Sequence, residues 1–299
     1  MAAVTPVIIE AAINGATSRA RNPHVPLAPA EIAADALACL AAGAAIVHNH
    51  IDEFTLAGDA AAARYLEGWR PVVRERPDAI LYATVAIGGS IAERFAHVPV
   101  LADSGLMRMG VFDPGSVNLG AAGDDGLPGP LEFVYVNSYG DIAYVAELLA
   151  RYRLGPSVSI FEPGFLRTML GYHRAGRLPR GAFVKLYFGG AQGYLGGSPS
   201  GVTFGLPPTR AALDAYLELL EGCELPWAAA VVGGDLVASG LARQVLERGG
   251  HLRVGLEDFA GWRTPTNVEL IAEVVRLARQ VGRPIASSAE AARMLDLPR

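Results

Sequence analysis

Short apolar runs rich in Val, Ile and Leu alternate with longer segments of helical period along nearly the whole chain. This alternation predicts repeated strand–helix units around a parallel sheet. The pattern places strands at residues 7–13, 45–50, 80–85, 106–112, 157–162, 182–188, 227–232 and 251–257. Eight such units predict the α/β class and a closed (β/α)8 TIM barrel, with residues 1–299 forming one domain.

Two of the connections that follow predicted strands are long. Residues 113–133 follow the fourth strand and residues 189–208 follow the sixth, and both are rich in Gly and Pro. In a barrel, the loops that follow strands rise from the face where ligands bind. We therefore expect these loops to contribute to substrate recognition.

Composition narrows the possible partners. With 51% hydrophobic and 18% charged residues, the chain can bury a large core. A net charge of -5 without a long basic run argues against nucleic acid as a partner. No apolar run approaches the roughly 20 residues that cross a bilayer, so we expect no membrane partner. Cys39 and Cys223 lie too far apart in sequence to indicate a disulfide framework, which favours the cytoplasm.

Two histidines at the end of the second predicted strand are the sharpest local motif. His48 and His50 are separated by one residue. Side chains at positions i and i+2 of a strand point the same way, so both imidazoles can face one ion. The alternative is a polar rim without a metal, but the expected place at the catalytic mouth favours a metal site.

The last predicted strand ends with two adjacent carboxylates that could complete such a site. Because neighbouring strand residues point in opposite directions, we assign Glu257 to the metal and Asp258, just past the strand, to a general base. As an alternative, either carboxylate could pair with Arg253 or cap a helix. Two imidazoles and a carboxylate suit Zn²⁺, although Fe²⁺, Mn²⁺ or Co²⁺ could bind the same ligands.

Glu10 stands in the middle of the apolar first strand. A buried carboxylate is costly unless it is paired, protonated or bound to a cation, so its presence indicates a functional role. A closed barrel places the first strand between the second and the eighth. Glu10 is therefore a candidate metal ligand, a partner to an imidazole or a polar contact for the substrate, and the sequence leaves these three roles open.

Further polar residues lie at predicted strand ends or in the loops that follow. They are Thr84, Asp113, Ser116, Asn118, Glu162 and Lys185. Each residue alone could equally be a cap or a turn former. Their shared location nevertheless predicts substrate contacts among the first five.

Three segments, residues 11–16, 43–50 and 249–258, resemble the β-keto acid cleavage enzyme family, and the similarity extends over essentially the whole chain. The resemblance implies a zinc-dependent barrel that is usually a homo-oligomer, a dimer or tetramer. It further implies condensation of a small β-keto acid with acetyl-CoA, followed by cleavage to acetoacetate and a new acyl-CoA. By the same resemblance, His48, His50 and Glu257 are the metal ligands and Asp258 is the base.

Some positions depart from the family pattern. Gly234 stands where the resemblance predicts an arginine that assists the base, so Asp258 is expected to lack a basic partner. Thr17 takes the place of the acidic residue that grips a substrate amino group, and Val111 replaces a threonine. We therefore expect a divergent member with an altered substrate, with Thr17 in the substrate site.

The sequence is compatible with three functions. The first is the acetyl-CoA-dependent cleavage just described. The second is a metal-dependent lyase or hydrolase of a small carbonyl acid that does not use CoA. The third is a catalytically silent relative that only binds its ligand, since loss of the base's partner could abolish turnover.

Overall fold

The computed structural model describes residues 4–123, 125–129, 134–193 and 201–298. Parts of both long loops, residues 124, 130–133 and 194–200, lie outside this range. The described strands are β1 (Ile9–Ala12), β2 (Ile46–Asn49), β3 (Ile80–Ala83), β4 (Met109–Phe112), β5 (Val117–Asn118), β6 (Val134–Tyr135), β7 (Gly155–Ile160), β8 (Phe183–Gly189), β9 (Trp227–Val232) and β10 (His251–Val254). The described helices are α1 (Pro29–Ala42), α2 (Gly58–Glu75), α3 (Ile91–Arg94), α4 (His97–Asp103), α5 (Tyr139–Arg151), α6 (Pro163–Arg174), α7 (Arg210–Leu219), α8 (Leu241–Glu247), α9 (Asn267–Gln280) and α10 (Ser288–Met294).

Eight of these strands form a nearly closed parallel barrel. Their order around the sheet is β3-β2-β1-β10-β9-β8-β7-β4, and a parallel bridge from Leu81 to Met107 joins the two ends. β5 and β6 form a separate antiparallel pair in the connection between β4 and α5. The predicted TIM barrel is confirmed, and β1 lies between β2 and β10 as expected.

The outer layer forms because each helix has one apolar face. Helix α1, for example, begins at Pro29, and Gly43 follows its last residue in the left-handed conformation that favours glycine. Its buried residues include Ile32 and Leu40, which join the core between strands and helices. Among the described residues, no helix has the combination of length and apolarity needed to span a bilayer.

The end of β10 differs from the prediction. The strand stops at Val254, three residues earlier than expected, because Gly255 adopts a φ of 149° that other residues rarely reach. A Cβ atom at Gly255 would also collide with the carbonyl oxygen of Ala12. Glu257 and Asp258 therefore lie in a turn, and the strand rule that separated their directions does not apply to them.

The barrel interior is unusually polar in its middle layer. Glu10, Lys185 and Arg253 all point inward and are at most 2% exposed. Above them, at the carboxyl ends of the strands, lies a second apolar cluster that includes Tyr187, Phe204 and Val232. This arrangement sets a charged layer directly beneath the mouth of the barrel.

Candidate metal centre

The two predicted histidines and Glu257 come together at the mouth of the barrel. His48 Nε2 lies 3.4 Å from Glu257 Oε2, and His50 Nε2 lies 3.4 Å from Glu257 Oε1. One ligand atom from each residue lies within 4.8 Å of the others. The contact is possible because β1 alone separates β2 from β10 in the barrel.

The hydrogen bonding of this cluster fits a cation. Within the described part of the chain, His50 Nε2 and Glu257 Oε2 are buried without a hydrogen-bond partner. Such atoms are costly unless something binds them. His48 Nδ1 lies 3.3 Å from the carbonyl oxygen of Tyr82, which can only accept, so the proton sits on Nδ1 and the Nε2 lone pair faces the cluster. Two nitrogens and a carboxylate are a ligand set for a divalent metal.

Burial and charge favour the metal-binding states of His48 and Glu257. Burial lowers the pKa of His48 to about 4, which favours the neutral imidazole. Burial alone would raise the pKa of Glu257, but Arg253 and the two imidazoles together hold it well below its usual value. The cluster therefore offers the neutral imidazole of His48 and the ionised carboxylate of Glu257.

The loop after β1 positions two of the three groups. Asn14 Oδ1 accepts hydrogen bonds from the backbone N–H groups of His50 and Gly15, both at 2.8 Å. Its Nδ2 also donates to the carbonyl oxygen of His50 at 3.1 Å. Gly15 adopts a φ of 56°, and its Cα packs directly against the side chain of Glu257. One turn thus positions His50 through the side chain of Asn14 and Glu257 through its packing against Gly15.

This packing makes a prediction about Gly15→Ala. A methyl group there would collide with Cγ of Glu257 and move the carboxylate, so we expect zinc affinity to fall about 10-fold or more. Gly105→Ala is the matched control, because Gly105 has a φ of 75° but no described atom within 4 Å of the added carbon. Zinc competition with a chelator measures the difference, and equal affinities in the two variants would contradict this role for Gly15.

Asp258 has a basic partner, contrary to expectation. Arg253 Nε lies 2.8 Å from Asp258 Oδ2, and Arg253 Nη2 lies 3.2 Å from Oδ1. The same Nη2 lies 3.0 Å from Oε1 of Glu257. The prediction that Asp258 lacks such a partner is wrong, because the partner comes from β10 itself and not from the neighbourhood of Gly234. The alternative in which Arg253 pairs with the carboxylates describes the contacts correctly, and it applies to both of them.

The environment of Asp258 suits proton transfer. Burial raises the pKa of Asp258 to about 6, with Arg253 opposing the rise and Glu257 adding to it. A carboxylate with this pKa is mostly ionised at neutral pH yet more basic than an exposed one, as a general base requires.

Glu10 contacts neither histidine. Its Oε1 accepts from Tyr82 Oη at 2.6 Å, from Arg253 Nη1 at 2.8 Å and from Lys185 Nζ at 3.3 Å. The guanidinium of Arg253 therefore lies between Glu10 on one side and Glu257 and Asp258 on the other. These contacts give Glu10 a fourth role, as partner to two cations and a phenol, which the sequence interpretation did not include.

Two predicted substrate residues bind the protein itself. The Thr17 hydroxyl donates to the carbonyl oxygen of Leu256 at 2.7 Å, beside Glu257. Asp113 Oδ2 accepts from Tyr135 Oη at 2.6 Å. Both side chains lie near the mouth, and their contact with substrate stays a prediction.

The other predicted substrate residues lie apart from the cluster. Glu162 accepts from the backbone N–H of Gly205 at 2.9 Å. Ser116 exchanges hydrogen bonds with the backbone of Asn137, and Asn118 is exposed in β5. The carbonyl of Thr84 binds His97 Nε2 at 2.8 Å. The structure brings none of these four into contact with His48, His50 or Glu257 among the described hydrogen bonds and ion pairs.

Sequence reasoning missed Asn14 and Tyr82, and it named Arg253 and Lys185 without assigning either residue to the site. Asn14 and Tyr82 carried no distinguishing signal, since one resembles a turn former and the other a core aromatic. Arg253 and Lys185 did carry one, because each is a cation inside an apolar strand. The rule that singled out Glu10 would have singled them out too.

Comparisons with known proteins identify relatives over the full chain. A sequence model described as beta-keto acid cleavage enzyme matches residues 6–297. A 3-oxoadipate:acetyl-CoA acetyltransferase from Cupriavidus necator is 28% identical, with 98% of this chain and 95% of the relative aligned. A 3-keto-5-aminohexanoate cleavage enzyme from Fusobacterium nucleatum is also 28% identical, with 97% and 98% aligned. The apo structure of ObcA superposes with a TM-score of 0.69 at 17% identity, covering 92% of this chain and 66% of that one, and shows the same fold.

Proposed function

Because this chain belongs to the beta-keto acid cleavage enzyme family, we propose that it transfers an acyl group from a β-keto acid to CoA at the expense of acetyl-CoA. The overall change is R–CO–CH₂–COO⁻ plus acetyl-CoA to R–CO–CoA plus acetoacetate. Two relatives support this proposal by name, since one is a 3-oxoadipate:acetyl-CoA acetyltransferase and the other cleaves a 3-keto acid.

The observation that carries the proposal is the juxtaposition of a metal-binding cluster with a paired base. His48, His50 and Glu257 would hold a divalent cation, with zinc the best candidate for this ligand set. When bound, that cation supplies a Lewis acid for the substrate's keto oxygen. Asp258 lies next in sequence to the ligand Glu257 and shares Arg253 with it.

Residues of this chain remove the substrate proton and later return it. Asp258 takes it from the carbon between the ketone and the carboxylate, and that carbon then attacks the acetyl-CoA carbonyl and releases the CoA thiolate. The thiolate next attacks the carbon of the substrate's original ketone. The bond between that ketone carbon and the deprotonated carbon then breaks, which releases the acyl-CoA and the acetoacetate carbanion. Asp258 returns the proton to the acetoacetate carbon. Arg253 holds the carboxylate of Asp258 in one orientation throughout.

Asp258's pairing with Arg253 favours this function over the two alternatives. An Asp258 without a basic partner would make both the CoA-independent reaction and the silent binding protein more credible. The bidentate contact with Arg253 supplies that partner.

We further propose that the distal end of the keto acid is uncharged and apolar. Four rings at the carboxyl ends of the strands, here called the aromatic wall, are Tyr135, Phe161, Tyr187 and Phe204. The rings of Phe161 and Tyr187 stack at 4.8 Å, and Phe204 meets Phe161 edge-on at 5.8 Å. Arg253 Cζ lies 5.3 Å from the centre of the Tyr187 ring. Because Arg253 also binds Asp258, its guanidinium lies between the aromatic wall and the proposed base.

Among the described residues, the two cations that lie nearest to the Tyr187 ring are already engaged. Lys185 and Arg253 pair with Glu10, and Arg253 also pairs with Asp258. Asp113 accepts a hydrogen bond from Tyr135, and burial raises the pKa of its carboxyl. Thr17 presents a hydroxyl and no carboxylate. A substrate ammonium or second carboxylate placed beside Tyr187 would therefore be desolvated without an unengaged opposite charge among the described neighbours of that ring.

Three keto acids of six carbons test both proposals. They are 3-oxohexanoate, 3-oxoadipate and 5-amino-3-oxohexanoate, which share the reacting end and differ only at the distal end. We expect acetyl-CoA to be consumed and butanoyl-CoA and acetoacetate to form from the first. Its kcat/KM should exceed that of either charged acid by about 100-fold, because an unpaired buried charge costs several kcal/mol.

The outcomes are separable by mass spectrometry of the thioesters. Preference for a charged acid would contradict the apolar substituent and leave the acyl transfer intact. Products formed without CoA would establish the lyase or hydrolase alternative instead. Tight binding of all three acids without any product would establish the silent relative.

A further inference from the structure

A buried carboxylate lies beneath the metal centre without touching it. Glu10 is 0% exposed. Its Oε1 accepts hydrogen bonds from Tyr82 Oη at 2.6 Å, from Arg253 Nη1 at 2.8 Å and from Lys185 Nζ at 3.3 Å. Burial alone would raise its pKa, but Lys185 and Arg253 hold that pKa at about 2. Glu10 is therefore a permanent negative charge in the barrel interior.

The first arm of this network is Arg253. Its Nη1 binds Glu10, while Nε and Nη2 on the other edge of the guanidinium bind Asp258, and Nη2 also reaches Glu257. A planar guanidinium with both edges occupied has little rotational freedom. Glu10 thus fixes the far edge of the group that orients the proposed base and one proposed metal ligand.

The second arm is Tyr82. Its hydroxyl donates to Glu10 and accepts from Lys185 Nζ at 2.7 Å. Its ring stacks on the imidazole of His48 at 4.4 Å with an interplanar angle of 27°, and its carbonyl accepts from His48 Nδ1. By holding the Tyr82 hydroxyl, Glu10 therefore positions both the ring that stacks on His48 and the carbonyl that accepts from its Nδ1.

We propose that Glu10 is a positioning residue that acts through Arg253 and Tyr82 on both halves of the reaction centre, with Lys185 as its counter-charge. This inference rests on the proposed function for its kinetic consequences, whereas its consequence for metal binding is independent of that function. Packing alone does not explain the charge, because barrel interiors are filled well by branched apolar residues. The carboxylate joins β1, β3, β8 and β10 at one oxygen atom.

The test compares Glu10→Gln with the double variant Glu10→Gln/Lys185→Met. The single variant keeps the side chain's shape but leaves two buried cations facing an amide, and it is at risk of unfolding. The double variant removes one charge of each sign, so the balance of buried charge is unchanged. It therefore separates the loss of positioning from the loss of charge balance.

In the double variant we expect a cooperative thermal transition, kcat lowered 10- to 100-fold and KM for acetyl-CoA changed less than twofold. Zinc affinity, measured by chelator competition, should fall about 10-fold because His48 loses its fixed support. Wild-type kcat together with wild-type zinc affinity would overturn the proposal and leave Glu10 as half of a structural ion pair. If the wild-type enzyme turns over none of the keto acids, the proposed function fails, and the zinc measurement still decides the role of Glu10.

Discussion

His48→Ala should lose its bound metal and its activity together. The substitution removes one of two imidazole nitrogens from a cluster of three donors, and the remaining His50 and Glu257 cannot hold a divalent ion tightly. Since a Lewis acid contributes several kcal/mol to the transition state and each 1.36 kcal/mol is tenfold in rate, we expect turnover to fall by about three orders of magnitude or more. Elemental analysis and acetyl-CoA consumption measure the two losses.

His24→Ala is the matched control for that experiment. It removes the same side chain from an exposed position away from the cluster, so metal content and turnover should stay at the wild-type level. His50→Ala should behave like His48→Ala. A His48→Ala protein that retained one equivalent of metal would refute the ligand assignment.

Asp258→Asn should separate metal binding from proton transfer. The amide is nearly isosteric and can still accept from Arg253, so metal content should be unchanged. It cannot take a proton at neutral pH, and turnover should therefore fall about 10²- to 10⁴-fold. Exchange of the substrate's C2 protons in deuterated water, followed by NMR, should slow by a similar factor because that exchange requires the base and does not require acetyl-CoA.

Asp214→Asn provides the comparison for the base. Asp214 is an exposed carboxylate paired with Arg248 on the outer layer, and its loss should alter neither exchange nor turnover. Unchanged C2 exchange in Asp258→Asn would remove Asp258 as the base and would leave the metal assignment standing.

Sequence reasoning could identify the three proposed ligands because one local rule combined with one global rule. Residues at i and i+2 share a strand face, which paired His48 with His50. Closure of eight strands then makes the first strand the only separator between the second and the last, which brought Glu257 within reach. Neither step needs knowledge of side-chain packing.

The partner of Asp258 was not accessible in the same way. The sequence interpretation expected the partner of the base near Gly234 and named Arg253, five residues before Asp258, only as an alternative. An ideal strand would direct Arg253 and Asp258 to opposite faces. The turn that Gly255 begins reverses the chain and returns both carboxylates to the guanidinium.

The sequence by itself determined the barrel, the order of its strands and the histidine pair, because hydrophobic period and strand alternation are local properties of the chain. It also marked Glu10 as anomalous without revealing its partners. Only the tertiary structure decided that Glu10 binds Tyr82, Lys185 and Arg253, since those residues are 72, 175 and 243 positions away. Contacts between charged side chains across a closed barrel depend on the register of strands distant in sequence, and no local pattern encodes that register.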